Sequence, residues 1–330
     1  MINPLRTIAA CVLALSSTAG GTALKFASLA PEGTSWMKEM HALAEDLAQA
    51  TDGRVTLKLY PGGVAGDERD VLRKIQAGQL HGAGFTGNGL GEILPAARVL
   101  DTPFLFHDID EYDSVLATVT DTLQTLFLEK GYELGGWASV GWVYLFSKNP
   151  IGSVNDLKRA RAWVWETDPL AAALFAKINI SPIPLPLPQV LTSLQTGVVD
   201  AAYISPSAAV SLQWFTRVKY MTDLPLTHST GAIVLSDRFL SKLTLADRAT
   251  TVHLFRQHMR VLEPVIREEE QKSLQVLADE GITPVPVLPK EAEGFTALGA
   301  ELRCEQADRL YPAWLLAMVE ARLDSLRASR

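Results

Sequence analysis

A chain of 330 residues is too long for one ordinary hydrophobic core and suits two domains. Hydrophobic residues make up 48% and charged residues 20%, a globular balance that excludes a disordered chain. The formal net charge of −7 comes with no basic stripe, which excludes nucleic acid as a partner class.

The N-terminus reads as a targeting segment. A lone cation, Arg6, precedes the apolar run "TIAACVLAL" (Thr7–Leu15), and small residues follow as far as Gly21 and Ala23. This is the layout of a secretory signal peptide spanning residues 1–23, with cleavage expected after Ala23 and a periplasmic location. The apolar run is about half the length that a membrane span needs, and no later stretch reaches roughly 18 uninterrupted apolar residues. Cleavage removes Cys11 and leaves Cys304 alone, so no disulfide is expected within the mature chain.

"LKFASLA" (24–30) predicts a strand. The helix that follows carries Trp36, Met40, Leu43 and Leu47 on one face. "RVTLKLY" (54–60) alternates as a strand, 67–77 predicts a helix stopped by Gly78, and "LHGAGFTG" (80–87) a third strand. This β-α-β-α-β order argues for a mostly parallel sheet with ligands at the carboxyl ends of its strands. A helix over roughly 111–130 leads into the glycine-punctuated "ELGGWASVGWVYLFS", read as a chain crossing between domains. A second β-α-β-α-β unit begins near Asn149. It includes "RARAWVWE", a helix with Asp168 as N-cap and Pro169 at its first position, an extended "SPIPLPLP", and "VVDAAYI". Thr244–Gly281 is the longest helical stretch, opened by the pair Thr244 and Asp247. Pro264 inside it predicts a kink. At about 1.5 Å per residue it spans about 55 Å, enough to brace two domains.

The ordered set "APEGTSWMKEM", "GRVTLKLYPGGVAGDERDVLRKIQAGQLHGA", "LDTPFLFHDIDEY", "NPIGSVNDLKRARAWVW", "PLPLPQVLTSLQTGVVDAAY" and "KYMTDLPLTHSTGAIVLS" resembles the substrate-binding proteins of tripartite ATP-independent periplasmic (TRAP) transporters, of the DctP type. The resemblance covers nearly the whole chain after the leader. It implies an α/β fold of periplasmic-binding-protein type, with two domains, a cleft between them and a long helix across both. The expected division is 24–147 plus 236–280 for the first domain and 148–235 plus 281–330 for the second. The implied function is capture of a small organic solute and its delivery to the small and large integral membrane components of a secondary importer. A ligand-presenting sensor of the same fold is the alternative reading. A secreted hydrolase is a weaker one: "GWASVG" lacks the spacing of a nucleophile elbow, and no catalytic set of Ser, His, Asp or Cys stands out. The histidines are scattered, so no metal site and no cofactor are expected.

The family pattern also implies an arginine, gripping a ligand carboxylate, where this sequence has Trp163 in "DLKRARAWVW". Arg159 and Arg161 lie nearby without replacing it. A second family position, after "VVD", is taken here by Tyr203, Ile204 and Ser205, and a third by Val143. The cleft is therefore expected to have lost cations and gained aromatics, among them Trp142, Trp163, Trp165 and Tyr203. Phe85 and Asn88 follow the third strand, where ligands of the family touch. Helix starts at Glu32 and Asp168 are further candidates for holding an acid end. The expected ligand is apolar, aromatic, cationic or otherwise removed from a simple arginine-clamped carboxylate. For each tryptophan the competing reading is core packing, and Trp214 reads as core.

Overall fold

The computed structural model describes residues 21–330, so nearly all of the expected signal peptide lies outside the described residues. The first half opens with β1 (Thr22–Ala27), α1 (Ser35–Ala50), β2 (Val55–Tyr60), α2 (Glu68–Gln76), β3 (Gly82–Thr86) and α3 (Gly87–Ile93). A 3-10 segment, Pro95–Asp101, leads to α4 (Ile109–Glu129) and the 16-residue β4 (Tyr132–Ser147). Then come α5 (Val154–Leu157), β5 (Trp163–Trp165), α6 (Pro169–Lys177), β6 (Ile183–Leu185), α7 (Val190–Thr196), β7 (Ala201–Ile204), α8 (Pro206–Ser211) and β8 (Tyr220–Thr222). The chain finishes with β9 (Thr227–Ser236), α9 (Asp237–Leu240), α10 (Leu245–Asp279), β10 (Thr283–Val285), α11 (Pro289–Gln306) and α12 (Ala313–Ala328).

In the first half β1 pairs in parallel with both β2 and β3, as the repeated β-α-β order requires. β9 then inserts antiparallel between β3 and β4. β4 runs on into the second half, where its later residues pair with β7 and β8, and β8 pairs with β10. The short β5 and β6 pair in parallel beside them. One strand therefore belongs to both halves of a continuous curled sheet.

The apolar stripe of α1 packs inward through Met37, Met40, Leu43 and Leu47, and Thr34 caps the helix. Trp36, expected on that stripe, is only half-buried and turns toward the space between the halves. α10 stays helical through Pro264 and is opened by Thr244, whose hydroxyl accepts from the Asp247 N–H. Phe255, Met259, Leu262 and Ile266 of α10 join the core beneath α1, while Leu277 joins the core of the second half. The helix braces both halves through these contacts.

Two elements fall elsewhere than the sequence division places them. β9 lies in the sheet of the first half, whereas the sequence division puts residues 227–235 in the second. α12 packs on α4, and Leu315, Leu316, Val319 and Leu323 complete the core of the first half. The reason is that α4 presents an apolar face, Val115, Val119, Leu123 and Phe127, that needs a cover.

Candidate ligand-binding cleft

A cavity of about 340 Å³ lies between the halves. Trp36, Phe85, Asn88, Arg98 and Asp101 line it from the first half, and Trp165, Asp168, Tyr203 and Ser205 from the second. Asn88 lines it from α3, whose sequence "GNGLGEI" places glycine at every second residue. A Cβ on Gly87 would overlap the Asp101 carboxylate. One on Gly89 would stand 2.9 Å from Glu68 Oε2, and one on Gly91 2.6 Å from Arg98 Cδ. The three glycines thus admit three charged side chains against one short helix.

Those charges are buried and mutually arranged. Arg98 Nη2 donates to Asp168 Oδ1 at 2.7 Å, and Nη1 stands 3.2 Å from Asp101 Oδ2 as an ion pair without the alignment of a hydrogen bond. Burial opposes the charge of Arg98, but Asp168 and Asp101 more than offset it and hold the guanidinium protonated. Burial pushes the Asp101 carboxyl up to about 6 against the pull of Arg98. Burial also pushes Glu68 up to about 8, although Thr86 and the Gly89 N–H donate to it. Asp168 is the junction of the site. It caps α6 by accepting from the N–H groups of Leu170 and Ala171, binds Arg98, and accepts from the Tyr203 hydroxyl at 3.2 Å. Burial, then the Asp168 charge, keeps that phenol neutral, so it acts as a donor.

Trp163 reaches the cavity wall but is only 1% exposed. It stacks on Tyr203 with ring centroids 4.9 Å apart, meets Trp214 edge to face at 5.6 Å, and donates from Nε1 to the Leu185 carbonyl. Trp165 is half-buried, lies 5.8 Å from Trp163, and donates from Nε1 to Asp67 Oδ2 across the halves at 2.8 Å. Phe85 and Ser205 line the cleft, Ser205 serving also as the N-cap of α8. Asn88 is 5% exposed. Its Nδ2 donates to Thr167 Oγ1 at 2.9 Å, while its Oδ1 and the Trp36 Nε1 have no partner among the described residues.

Three sequence expectations need correction. Glu32 is exposed, precedes the true cap Thr34, and pairs with His41 outside the cleft. Trp142 does not line the cleft. It meets His228 edge to face at 5.1 Å, because register shifts at Gly136 and Gly141 interrupt the simple alternation of β4. The start of α6 offers no free N–H pair to a ligand acid, since Asp168 itself occupies it. Arg98, which sequence reasoning missed, gives the cleft a cation after all. Its signal was a charge pair at 98 and 101 inside the otherwise apolar "ILPAARVLDTPF".

Residues 26–307 match the model of the bacterial extracellular solute-binding protein family 7, DctP, and the chain belongs to this family. It is a solute-binding protein, not an enzyme. It is 26% identical over 250 residues to a solute-binding protein of Verminephrobacter eiseniae, covering 75% of this chain and 74% of that protein. It is 24% identical over 297 residues to the 2,3-diketo-L-gulonate-binding periplasmic protein YiaO of Escherichia coli, covering 86% and 90%. In structure it is similar to an extracytoplasmic solute receptor of Bordetella pertussis binding pyroglutamic acid, with a TM-score of 0.84, 20% identity, and 92% and 99% of the two chains covered.

Proposed function

We propose that this chain is the periplasmic solute receptor of a TRAP-type importer, exported by the leader at residues 1–23. In this reading it closes two domains on a ligand and presents the closed form to the small and large membrane components. Family membership supports the receptor role, and no helix of the described residues is long and apolar enough to cross a membrane. The proposed contacts are Trp165, Tyr203, Phe85, Asn88 and Ser205, with Trp163 backing the wall.

The ligand in this reading has an apolar or aromatic body and a polar end that is neutral or cationic. The observation that carries it is the state of Arg98: Asp168 and Asp101 already neutralise it, and Glu68 adds a third carboxyl nearby. A carboxylate ligand must take the guanidinium from Asp168. A neutral amide or hydroxyl can instead accept from Trp36 Nε1 and donate to Asn88 Oδ1. A second reading has one observation in its favour. Similar proteins are described as binding acids, such as 2,3-diketo-L-gulonate, pyroglutamic acid and D-glucuronate, and Arg98 Nε is itself without a partner among the described residues.

A thermal-shift panel separates the two, pairing neutral amides and aromatic solutes with sugar acids and 2-oxo acids. A ligand at about 100 times its Kd adds about 2.7 kcal/mol, a shift of several degrees. Stabilisation by amides and not acids is the expected outcome. Stabilisation by acids alone moves the ligand to Arg98.

A further inference from the structure

The cavity does not end at the Arg98–Asp168 pair. It continues past Leu170 along the inward face of α6 into a chamber walled by Leu145, Ile151, Leu157, Leu174, Phe175 and Leu226. We infer that this chamber is an apolar subsite, and that the solute is an amphiphile whose hydrocarbon arm lies beneath α6 and α11 while its polar end stays by Asn88 and Arg98. The inference rests on reading the cleft as the solute site.

Three observations carry it. First, the chamber offers no polar partner along its wall. Three side-chain hydroxyls adjoin it, and all are already bonded within the protein: Thr222 Oγ1 donates to the Ile151 carbonyl and Ser153 Oγ to Asp156, each at 2.7 Å, and Thr227 Oγ1 to the Asp101 carbonyl at 3.1 Å. A polar group placed there would lose its water without replacement. Second, the unpartnered buried polar atoms that line the cavity, Trp36 Nε1, Asn88 Oδ1, Arg98 Nε and Asp101 Oδ2, belong to residues of the first half, away from the α6 wall. The cavity is therefore polar at one end and apolar at the other. Third, the chamber has a built closure. Phe104 lines it with φ of 55°, a left-handed conformation costly for a bulky residue. The surroundings enforce that conformation: the Phe104 N–H donates to the Leu226 carbonyl at 2.8 Å, and Gly299 of α11 lets the helix pack onto the Pro103 carbonyl and the Phe104 ring. The ring then stacks on Phe295 of α11, centroids 6.1 Å apart. Strain held in place at a cavity wall is characteristic of a ligand clamp.

The test is calorimetric titration of the protein with two homologous series, n-alkanamides and n-alkanoates of two to eight carbons. The slope with chain length reports the chamber, and the head group that binds reports the reading of Arg98, so either can fail alone. Affinity in the binding series is expected to rise roughly threefold to fourfold per added methylene until the chamber is full. Leu174→Trp, which fills the chamber from a half-buried position, should abolish that rise and leave the shortest bound member unchanged. Ala171→Phe fills it from the neighbouring turn and carries the test if the first variant does not fold. A flat series, a rise that survives in the folded variants, or no binding by either series overturns the subsite.

Discussion

Arg98 is held between two carboxylates that come from different halves of the molecule, and this sets what its replacement costs. Removing one member of a buried ion group leaves the others uncompensated, typically about 3–5 kcal/mol. Arg98→Leu should therefore lower stability in chemical denaturation by that order, and adding Asp168→Asn should recover part of the loss. Trp163 and Trp165 divide in the same way by environment. Trp163 is enclosed by Tyr203, Trp214 and Trp165, so Trp163→Ala is expected to cost about 3–5 kcal/mol of stability. Trp165 is half-exposed, and Trp165→Ala should instead weaken ligand binding about tenfold. The acids add a pH dependence. Glu68 and Asp101 have folded pKa values raised to about 8 and about 6, above their unfolded values. The folded state thus keeps protons that the unfolded chain has released, and stability falls as pH rises between those values. The thermal midpoint should decline from pH 5 to pH 8, and Glu68→Gln should remove the part of the decline above pH 6. In the sequence Trp163 could be seen against the family pattern. Arg98 could not be placed, because its partner Asp168 is 70 residues away and only the fold brings them together.

Among the elements, those with one dominant period were legible and those with an irregularity were not. α1, α2, the parallel β1–β3 core and the Thr244 cap follow from spacing and capping chemistry alone. β4 defeated face counting because it shifts register twice, so Trp142 turned to His228 while Val143 and Leu145 turned to the cavity. α3 carries a signal that composition hides. Glycine every second residue weakens a helix, by up to about 1 kcal/mol each, so its presence marks a close approach. Gly87→Ala should cost about 1–3 kcal/mol by overlap with Asp101 in spite of better helix propensity. Gly91→Ala should cost less, because its Cβ would stand 2.6 Å from the Arg98 stem, against 1.5 Å between a Gly87 Cβ and the Asp101 carboxylate. Comparison of the two thermal midpoints checks the order.

Across the whole molecule, polar contacts join the halves: Trp165 and the Leu187 N–H to Asp67, Asn88 to Thr167, and Arg98 to Asp168. Together they hold the cleft shut, which a receptor that must admit its ligand has to release at modest cost. Replacing Asp67 with Ala removes two of these contacts and leaves Trp165 Nε1 free. Small-angle scattering of Asp67→Ala should show a larger radius of gyration than the parent, and added ligand should reverse the difference. An unchanged radius would show that the other contacts suffice to keep the halves together.

The placement of α12 has a further consequence. The face of α4 is made early in the chain, yet the side chains that cover it, Leu315 to Leu323, are made last. A growing polypeptide that has emerged only as far as residue 310 still shows that face to solvent and lacks its finished core. Completion of that core therefore awaits the last stretch of the chain. For a chain exported before it folds, as the leader proposed above would direct, that order leaves the first core open until nearly the whole chain is made.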